Sequence, residues 1–198
     1  MNDMAVKKYK VLALFGKSGV GKDAILNWIV SEYPAIFHKI VSCTTRPKRD
    51  YEVEGVDYFF LSHLDFIKRV YNGDMLETVF FNDWAYGTSI SALDKDKINI
   101  AILNPEGIRM LMEDNRIDLR IVYIDCPDRI RLIRALTRQQ DIDCGELCRR
   151  YFADEKDFAD LTDIDFITYI NDKEPDDWKQ FFKILFSKTD GLIRDWTE

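Results

Sequence analysis

The sequence predicts a three-layer α/β fold, in which helices cover both faces of a central parallel sheet. Short apolar runs with the length of buried strands alternate with segments of helical periodicity along most of the chain. A glycine-rich loop joins the first of these runs to the first helix. An aromatic-rich stretch, residues 42–90, interrupts the alternation, and we expect it to form an inserted β-rich lobe.

The composition is that of one globular domain. The chain has 198 residues, of which 46% are hydrophobic and 32% are charged, so it can bury a full core. This composition excludes collagen-like and disordered chains. The net charge of -7 argues against a nucleic acid polymer as a partner.

The chain is predicted to be cytoplasmic. No stretch reaches the roughly 18 uninterrupted apolar residues that a membrane span needs. The first ten residues contain no apolar signal core. The four cysteines form no CxxC motif and only two histidines are present, which favours reduced thiols over a zinc site or disulfides.

The first elements have clear local signals. Residues 9–15 (YKVLALF) form a short apolar run that ends at a glycine, as a buried strand does. Residues 23–31 are predicted to form a helix with apolar residues nearly all round its surface, and Pro34 marks the end of the helical region. Residues 39–43 are predicted to form a second short strand.

Capping and turn residues define the next elements. Ser62, with Asp65 three positions later, is a variant of the capping box, and it predicts a helix that runs to residues 72–73. Residues 75–88 predict two strands around an Asn-Asp turn.

The second half of the chain returns to alternation. The predicted strands cover residues 98–103, 119–124 and 166–170. The predicted helices cover residues 105–113, which begin with proline, 128–138 and 176–187. The highly charged residues 141–165 predict a helix with a mobile loop.

The glycine-rich loop, residues 16–23 (GKSGVGKD), fits the pattern GxxxxGK between a strand and a helix. Small residues let backbone N–H groups surround a phosphate chain, and the helix N-terminus adds partial positive charge. A glycine-rich turn without function is the alternative. The predicted phosphate-binding residues are Gly16, Ser18, Gly19, Val20, Gly21, Lys22 and Asp23.

Asp23 departs from this pattern, because a serine or threonine that binds Mg²⁺ is expected there. One interpretation is an acid favoured by the helix dipole. Another is a carboxylate that binds Mg²⁺ directly, since this cation prefers oxygen ligands. Both interpretations stay open, since a carboxylate also repels nearby phosphate oxygens.

A second series of motifs lies in the β-rich stretch: residues 42–49 (SCTTRPKR), 52–60 (EVEGVDYFF), Glu77 and residues 86–88 (YGT). With the preceding loop, this series resembles the guanylate kinase family, whose pattern is S-x-T-T-R-x-x-R, E-x-x-G-x-D-Y, a glutamate and Y-G-[ST]. The resemblance is strong over residues 16–90 and weaker over 134–155.

The resemblance implies the P-loop fold of nucleoside monophosphate kinases in one domain, residues 1–198. That fold would have a GMP-binding lobe, residues 42–90, and a helical lid, residues 134–159. The core would comprise residues 1–41, 91–133 and 160–198.

The resemblance also implies the roles of the residues in the lobe. Arg46 and Arg49 would hold the phosphate of a nucleoside monophosphate, which suits the guanidinium fork. Glu77 would accept hydrogen bonds from guanine N1–H and its 2-amino group, a pair of donors that adenine lacks. The implied GMP-binding residues are Ser42, Arg46, Arg49, Tyr58, Glu77, Tyr86 and Thr88.

On the ATP side, the resemblance implies lid arginines that close over the phosphates. Exposed helix arginines at i,i+4 spacing are the alternative for them. Asn171 resembles a residue that contacts the adenine of ATP, although an asparagine that starts a turn fits equally well. The implied catalytic residues are Lys22, Arg46, Arg134, Arg138 and Arg149, with Arg150 as an alternative to Arg149.

The chain also departs from the family pattern at residues 102–104. Family members carry D-x-D at the end of this strand, whereas here the residues are Ile102, Leu103 and Asn104. We hypothesise that Asp23 replaces the lost negative charge and holds Mg²⁺ from the side of the glycine-rich loop. Asp125, which also follows a strand, is predicted to be a helix cap before Pro127.

The expected reaction is phosphoryl transfer from ATP, with Mg²⁺, to GMP or dGMP. ATP and GMP or dGMP are then the partners, and the protein is either a monomer or a homodimer. One alternative is a non-catalytic binding module, because the D-x-D acids are missing. Another is a kinase for a different or modified nucleoside monophosphate.

Overall fold

The computed structural model describes residues 8–50, 52–81, 83–137, 143–172, 177–187 and 192–197. Its centre is a five-stranded sheet in which every neighbouring pair of strands is parallel, in the order β2-β7-β1-β8-β9. These strands are β1 (Tyr9–Phe15), β2 (Phe37–Lys39), β7 (Ile98–Ile102), β8 (Ile117–Asp125) and β9 (Ile167–Ile170). The predicted α/β fold class with a parallel central sheet is confirmed.

Seven helices are present in the described part of the chain. They are α1 (Lys22–Glu32), α2 (His63–Tyr71), α3 (Pro105–Glu113), α4 (Asp128–Thr137), α5 (Cys144–Asp157), α6 (Asp177–Leu185) and α7 (Arg194–Thr197). None of them is both long and apolar enough to cross a lipid bilayer.

Alternate side chains of β1 point to opposite faces of the sheet, as the two-residue period of a strand requires. Leu12 and Leu14 pack into a core that includes buried residues of α1, α6 and α7. Val11, Ala13 and Phe15 pack into a second core with α3. Burying both faces explains why β1 is an uninterrupted apolar run, and it produces the three layers.

A second sheet forms within residues 42–90. It has the order β4-β3-β6-β5, with β3 (Cys43–Thr44), β4 (Phe59–Phe60), β5 (Met75–Phe81) and β6 (Trp84–Ser89). Its own small core contains Cys43, Phe66 of α2 and Ala85. The two strands predicted around the Asn-Asp turn are therefore confirmed as an antiparallel pair. The lobe and lid boundaries stay predictions, and the predicted lid begins inside α4.

The predicted strand over residues 39–43 is wrong. Lys39 ends β2, which pairs with β7 of the central sheet, whereas Cys43 starts β3, which pairs with β4 and β6 of the second sheet. The chain passes from one sheet to the other between them. The short helix α7 was not predicted. Arg138 and the rest of residues 138–142 lie outside the described residues.

Candidate active site

The glycine-rich loop follows β1 and leads into α1, as predicted. Gly19 has a φ of 83°, a left-handed conformation that favours glycine. A Cβ atom at this position would lie 2.6 Å from the carbonyl oxygen of Arg131 in α4. The loop therefore depends on glycine both for its backbone path and for its close approach to α4.

Lys22 folds back over this loop. Its Nζ donates hydrogen bonds to the carbonyl oxygens of Gly16, at 2.6 Å, and Lys17, at 3.0 Å. Burial lowers the pKa of the ammonium, while the charges of Asp23 and Asp154 oppose that shift. The cation thus lies inside the ring of backbone groups where a phosphate chain would bind.

Asn171 also lies at the loop. Its Nδ2 donates to the carbonyl oxygen of Val20 at 2.8 Å, and its backbone N–H donates to the carbonyl oxygen of Asp125 at 2.8 Å. The side chain is buried. The structure therefore gives this asparagine a role in holding the loop, while the predicted contact with adenine stays a prediction.

Arg46 of the second sheet forms a two-pronged ion pair with Glu52. Its Nη2 and Nη1 donate to Glu52 Oε1 and Oε2 at 2.6 and 3.0 Å. The guanidinium also lies 5.6 Å from the ring centre of Tyr58, and a hydrogen bond to Tyr86 adds to the ion pair in raising its pKa. The Arg49 backbone N–H donates to the same carboxylate at 2.8 Å.

Glu52 therefore positions Arg46 and Arg49, the two arginines predicted to hold the acceptor phosphate. Glu52 falls within a motif of the sequence, but no role is predicted for it there. Its spacing of six residues from Arg46 gives no local signal of a pair, because the loop between them has to fold back first.

Glu77 lies in β5 with only 7% of its surface exposed. Burial raises the pKa of its carboxyl to about 7, and the charge of Glu106 adds to that effect. Hydrogen bonds from the hydroxyl and the backbone N–H of Thr88 limit this rise of the pKa. Thr88 Oγ1 in turn lies 3.2 Å from Ser42 Oγ. The three residues predicted to recognise a base thus form one contiguous polar group.

Asp23 is exposed at the start of α1, and it connects the two halves of the site. Burial raises the pKa of Tyr58, and the negative charge of Asp23 adds to that shift. The acid therefore lies within electrostatic range of both Lys22 and Tyr58. A donor phosphate on the loop and an acceptor phosphate beside Tyr58 would meet near this carboxylate.

At the missing D-x-D positions the structure offers no replacement acid. Leu103 is buried, and Asn104 Oδ1 accepts a hydrogen bond from the Gly107 N–H at 2.8 Å, which caps α3. Across the described residues, no group of three acidic, histidine or cysteine side chains could hold a metal ion. Asp23 alone still fits Mg²⁺, since this ion often binds one carboxylate together with substrate phosphates.

The prediction that Asp125 caps a helix is wrong. It is the last residue of β8, its Oδ1 accepts from the Cys126 N–H at 2.8 Å, and α4 begins only at Asp128.

Arg138, one of the predicted lid arginines, lies outside the described residues, and the other three have partners of their own. Arg134 donates to Cys126 Sγ at 3.5 Å, whereas Arg149 and Arg150 both pair with Glu146. Their closure over phosphates stays a prediction. The arginine that does lie beside the loop is Arg131, which the sequence analysis did not single out.

Comparisons with known proteins identify the family of the chain. The family model described as Guanylate kinase matches residues 8–186. A guanylate kinase of Chlamydia felis is 37% identical over 131 residues, 64% of this chain, and that segment spans 63% of the relative's length. A guanylate kinase of Malacoplasma penetrans is 31% identical over 71% of this chain and 74% of its own.

A crystal structure of guanylate kinase from Anaplasma phagocytophilum shares the fold. It has a TM-score of 0.65 and 19% sequence identity, and it covers 95% of this chain and 90% of its own. The match of the family model over residues 8–186, nearly all of the described chain, shows that this protein belongs to the guanylate kinase family.

Proposed function

We propose that the protein transfers the terminal phosphoryl group of ATP to GMP or dGMP, giving ADP and GDP or dGDP. The observation that carries the proposal is the buried carboxyl group of Glu77, hydrogen-bonded to Thr88, in the same lobe as the Arg46 fork. A carboxylate there matches the two adjacent donors of guanine, and the fork matches a phosphate.

In this proposal each half of the site positions one substrate. The loop N–H groups and Lys22 bind the ATP phosphates, while Arg46, Arg49 and the two tyrosines bind the GMP phosphate. An oxygen of the GMP phosphate attacks the terminal phosphorus in line, and the bond to the ADP oxygen breaks. Because no covalent enzyme intermediate is needed, alignment and charge stabilisation supply the catalysis.

Mg²⁺ bound to the ATP phosphates would neutralise charge that develops during the transfer. Asp23 is the residue of this chain that we propose as its protein ligand, because its carboxylate is exposed beside the loop. Its position also allows it to repel a misplaced phosphate.

The test is ATP consumption in a coupled assay with GMP, dGMP, AMP, UMP, CMP and dTMP as separate acceptors. We expect turnover with the guanine nucleotides. Arg46→Ala should raise the KM for GMP and lower kcat, because its charge acts in both the ground and transition states. Arg116→Ala is the matched control, since Arg116 pairs with Asp114 just before β8, at the end of the parallel strands opposite to the glycine-rich loop.

A second candidate is a non-catalytic domain that binds GMP. The observation in its favour is the replacement of the D-x-D acids by Ile102 and Asn104. Calorimetric binding of GMP with no turnover would support this alternative. Turnover with another monophosphate and none with GMP would instead support a changed acceptor.

A further inference from the structure

Arg131 is a buried cation beside the phosphate loop. Its side chain is 2% exposed, the lowest exposure among the arginines in ion pairs of the described residues. Its Nε donates to Asp128 Oδ1 at 2.7 Å, and its guanidinium lies 4.4 Å from the ring centre of Tyr151. These contacts, with the close approach of its carbonyl group to Gly19, fix Arg131 against the loop.

The anion that meets this cation is the carboxylate of Asp154 in α5. Asp154 Oδ2 accepts hydrogen bonds from the Ser18 backbone N–H, at 2.8 Å, and from Arg131 Nη1, at 3.2 Å. Asp154 Oδ1 accepts from Ser18 Oγ at 3.2 Å. A protein carboxylate therefore accepts a hydrogen bond from a backbone N–H of the loop that is predicted to bind phosphate.

The neighbouring acid strengthens this contact. Glu155 Oε1 accepts from Lys17 Nζ at 2.6 Å and from Arg131 Nη2 at 3.1 Å. Two consecutive acids of α5 thus hold two cations at the loop. The charge of Asp154 also raises the pKa of Lys22, against the larger effect of burial.

We propose that the Ser18 N–H and Arg131 Nη1 form a subsite for a phosphate oxygen of the nucleoside triphosphate, and that Asp154 occupies this subsite until nucleotide displaces it. The inference rests on the proposed function, and it adds Arg131 as a phosphate-binding residue and Asp154 as an internal competitor. The Asp154 side chain then has to turn away from the Ser18 N–H when nucleotide binds.

The chemistry of the subsite supports the exchange. Carboxylate and phosphate oxygens accept charge-assisted hydrogen bonds from the same donors, N–H groups of loops and guanidinium groups. Arg131 lies on α4, which contacts the loop through Gly19, and Asp128 and Tyr151 hold its guanidinium. We therefore expect Arg131 to stay beside the loop when Asp154 leaves, and to pair with the incoming phosphate.

The experiment measures binding of Mg²⁺ and a non-hydrolysable ATP analogue by calorimetry, with inorganic tripolyphosphate as a second probe. Asp154→Ala should lower the Kd of both probes about tenfold, the size expected when a competing charged hydrogen-bond acceptor is removed. Asp157→Ala is the matched control, since it removes an exposed carboxylate from the same helix. It should leave both Kd values unchanged.

Arg131→Lys tests the other half of the subsite. Lysine keeps the charge but loses the fork, so we expect a Kd several-fold higher than in the unaltered protein. Because Arg131 is buried, a thermal melt has to show that this variant folds. If Arg131→Lys does not fold, the Asp154→Ala result alone decides the inference.

Two failures are distinguishable. If the unaltered protein binds the analogue and Asp154→Ala binds it equally or more weakly, Asp154 does not compete and the inference is overturned alone. If neither protein binds the analogue or tripolyphosphate, both the inference and the proposed function are overturned. Tighter binding by Asp154→Ala and by the Asp157→Ala control alike would also overturn the inference, because a general charge effect would then explain it.

Discussion

Under the proposed function, acidification should weaken a preference for GMP over AMP through Glu77. Burial raises the pKa of this carboxyl to about 7, so in the absence of nucleotide it is half protonated near neutral pH. Guanine presents two donors, which only the ionised carboxylate can accept together. GMP binding therefore selects the ionised form, and its affinity should fall as the pH drops through about 7.

The size of the effect follows from the ionised fraction. With a pKa of about 7, that fraction is about one half at pH 7 and about 3% at pH 5.5. The apparent kcat/KM for GMP should thus fall about 30-fold between pH 8 and pH 5.5 from this group alone. The protonated carboxyl offers one donor and one acceptor, which match adenine N1 and its 6-amino group. The kcat/KM for AMP should therefore not fall through the titration of Glu77 as the pH drops.

The assay is the ratio of kcat/KM values for GMP and AMP, measured from about pH 8 to about pH 5.5. The ratio removes the titration of the monophosphate itself, whose second pKa is about 6, because both nucleotides carry it. The ratio also cancels the titration of groups that act on ATP, such as Lys22, because they affect both kcat/KM values equally. A ratio that stays constant across this range would refute the assignment of Glu77 to the guanine edge.

Three further predictions concern single acids. Glu77→Gln should stabilise the fold by as much as about 3 kcal/mol at pH 8. The reason is that ionising the buried acid costs free energy as the pH rises from the ordinary pKa of about 4.5 through the raised pKa of about 7. Thermal melts should therefore show the gain at pH 8 and little gain at pH 5. Glu52→Gln should destabilise the fold by about 3 kcal/mol in urea unfolding and raise the KM for GMP, because it leaves Arg46 without its carboxylate; an unchanged midpoint would contradict the role given to that pair. Asp23→Asn should raise the Mg²⁺ concentration for half-maximal rate several-fold, and an unchanged Mg²⁺ dependence would remove Asp23 as the ligand.

The sequence predicted the central layers well because they depend on local patterns. Uninterrupted apolar runs identify strands that are buried on both faces, as in residues 9–15, and proline and glycine mark where elements end. The strand predicted over residues 39–43 failed because an apolar run does not indicate which sheet it joins. α7 escaped prediction because it is four residues long and is held by tertiary contacts, such as Trp196 Nε1 to Asp118.

Residues of the candidate site could be proposed from the sequence where they fall into motifs of fixed spacing, as for the loop, Arg46 and Glu77, and their roles stay predictions. The ion network of Arg131 was not, because its partners Asp154 and Glu155 are 23 and 24 residues away, on another helix. In the sequence each of these charges is typical of a solvated helix face. Only the packing of α5 against the loop brings them together and buries the guanidinium.

The hydrogen bond from Asn171 to Val20 joins residues 151 positions apart. During translation the glycine-rich segment leaves the ribosome before β9, the strand that precedes its support Asn171, has been synthesised. A nascent chain therefore holds an unfinished binding loop until β9 has docked beside β8. If ATP binds this loop as proposed, it would stabilise the completed sheet and leave the earlier, partly folded chain unassisted, because a ligand stabilises only the state that binds it.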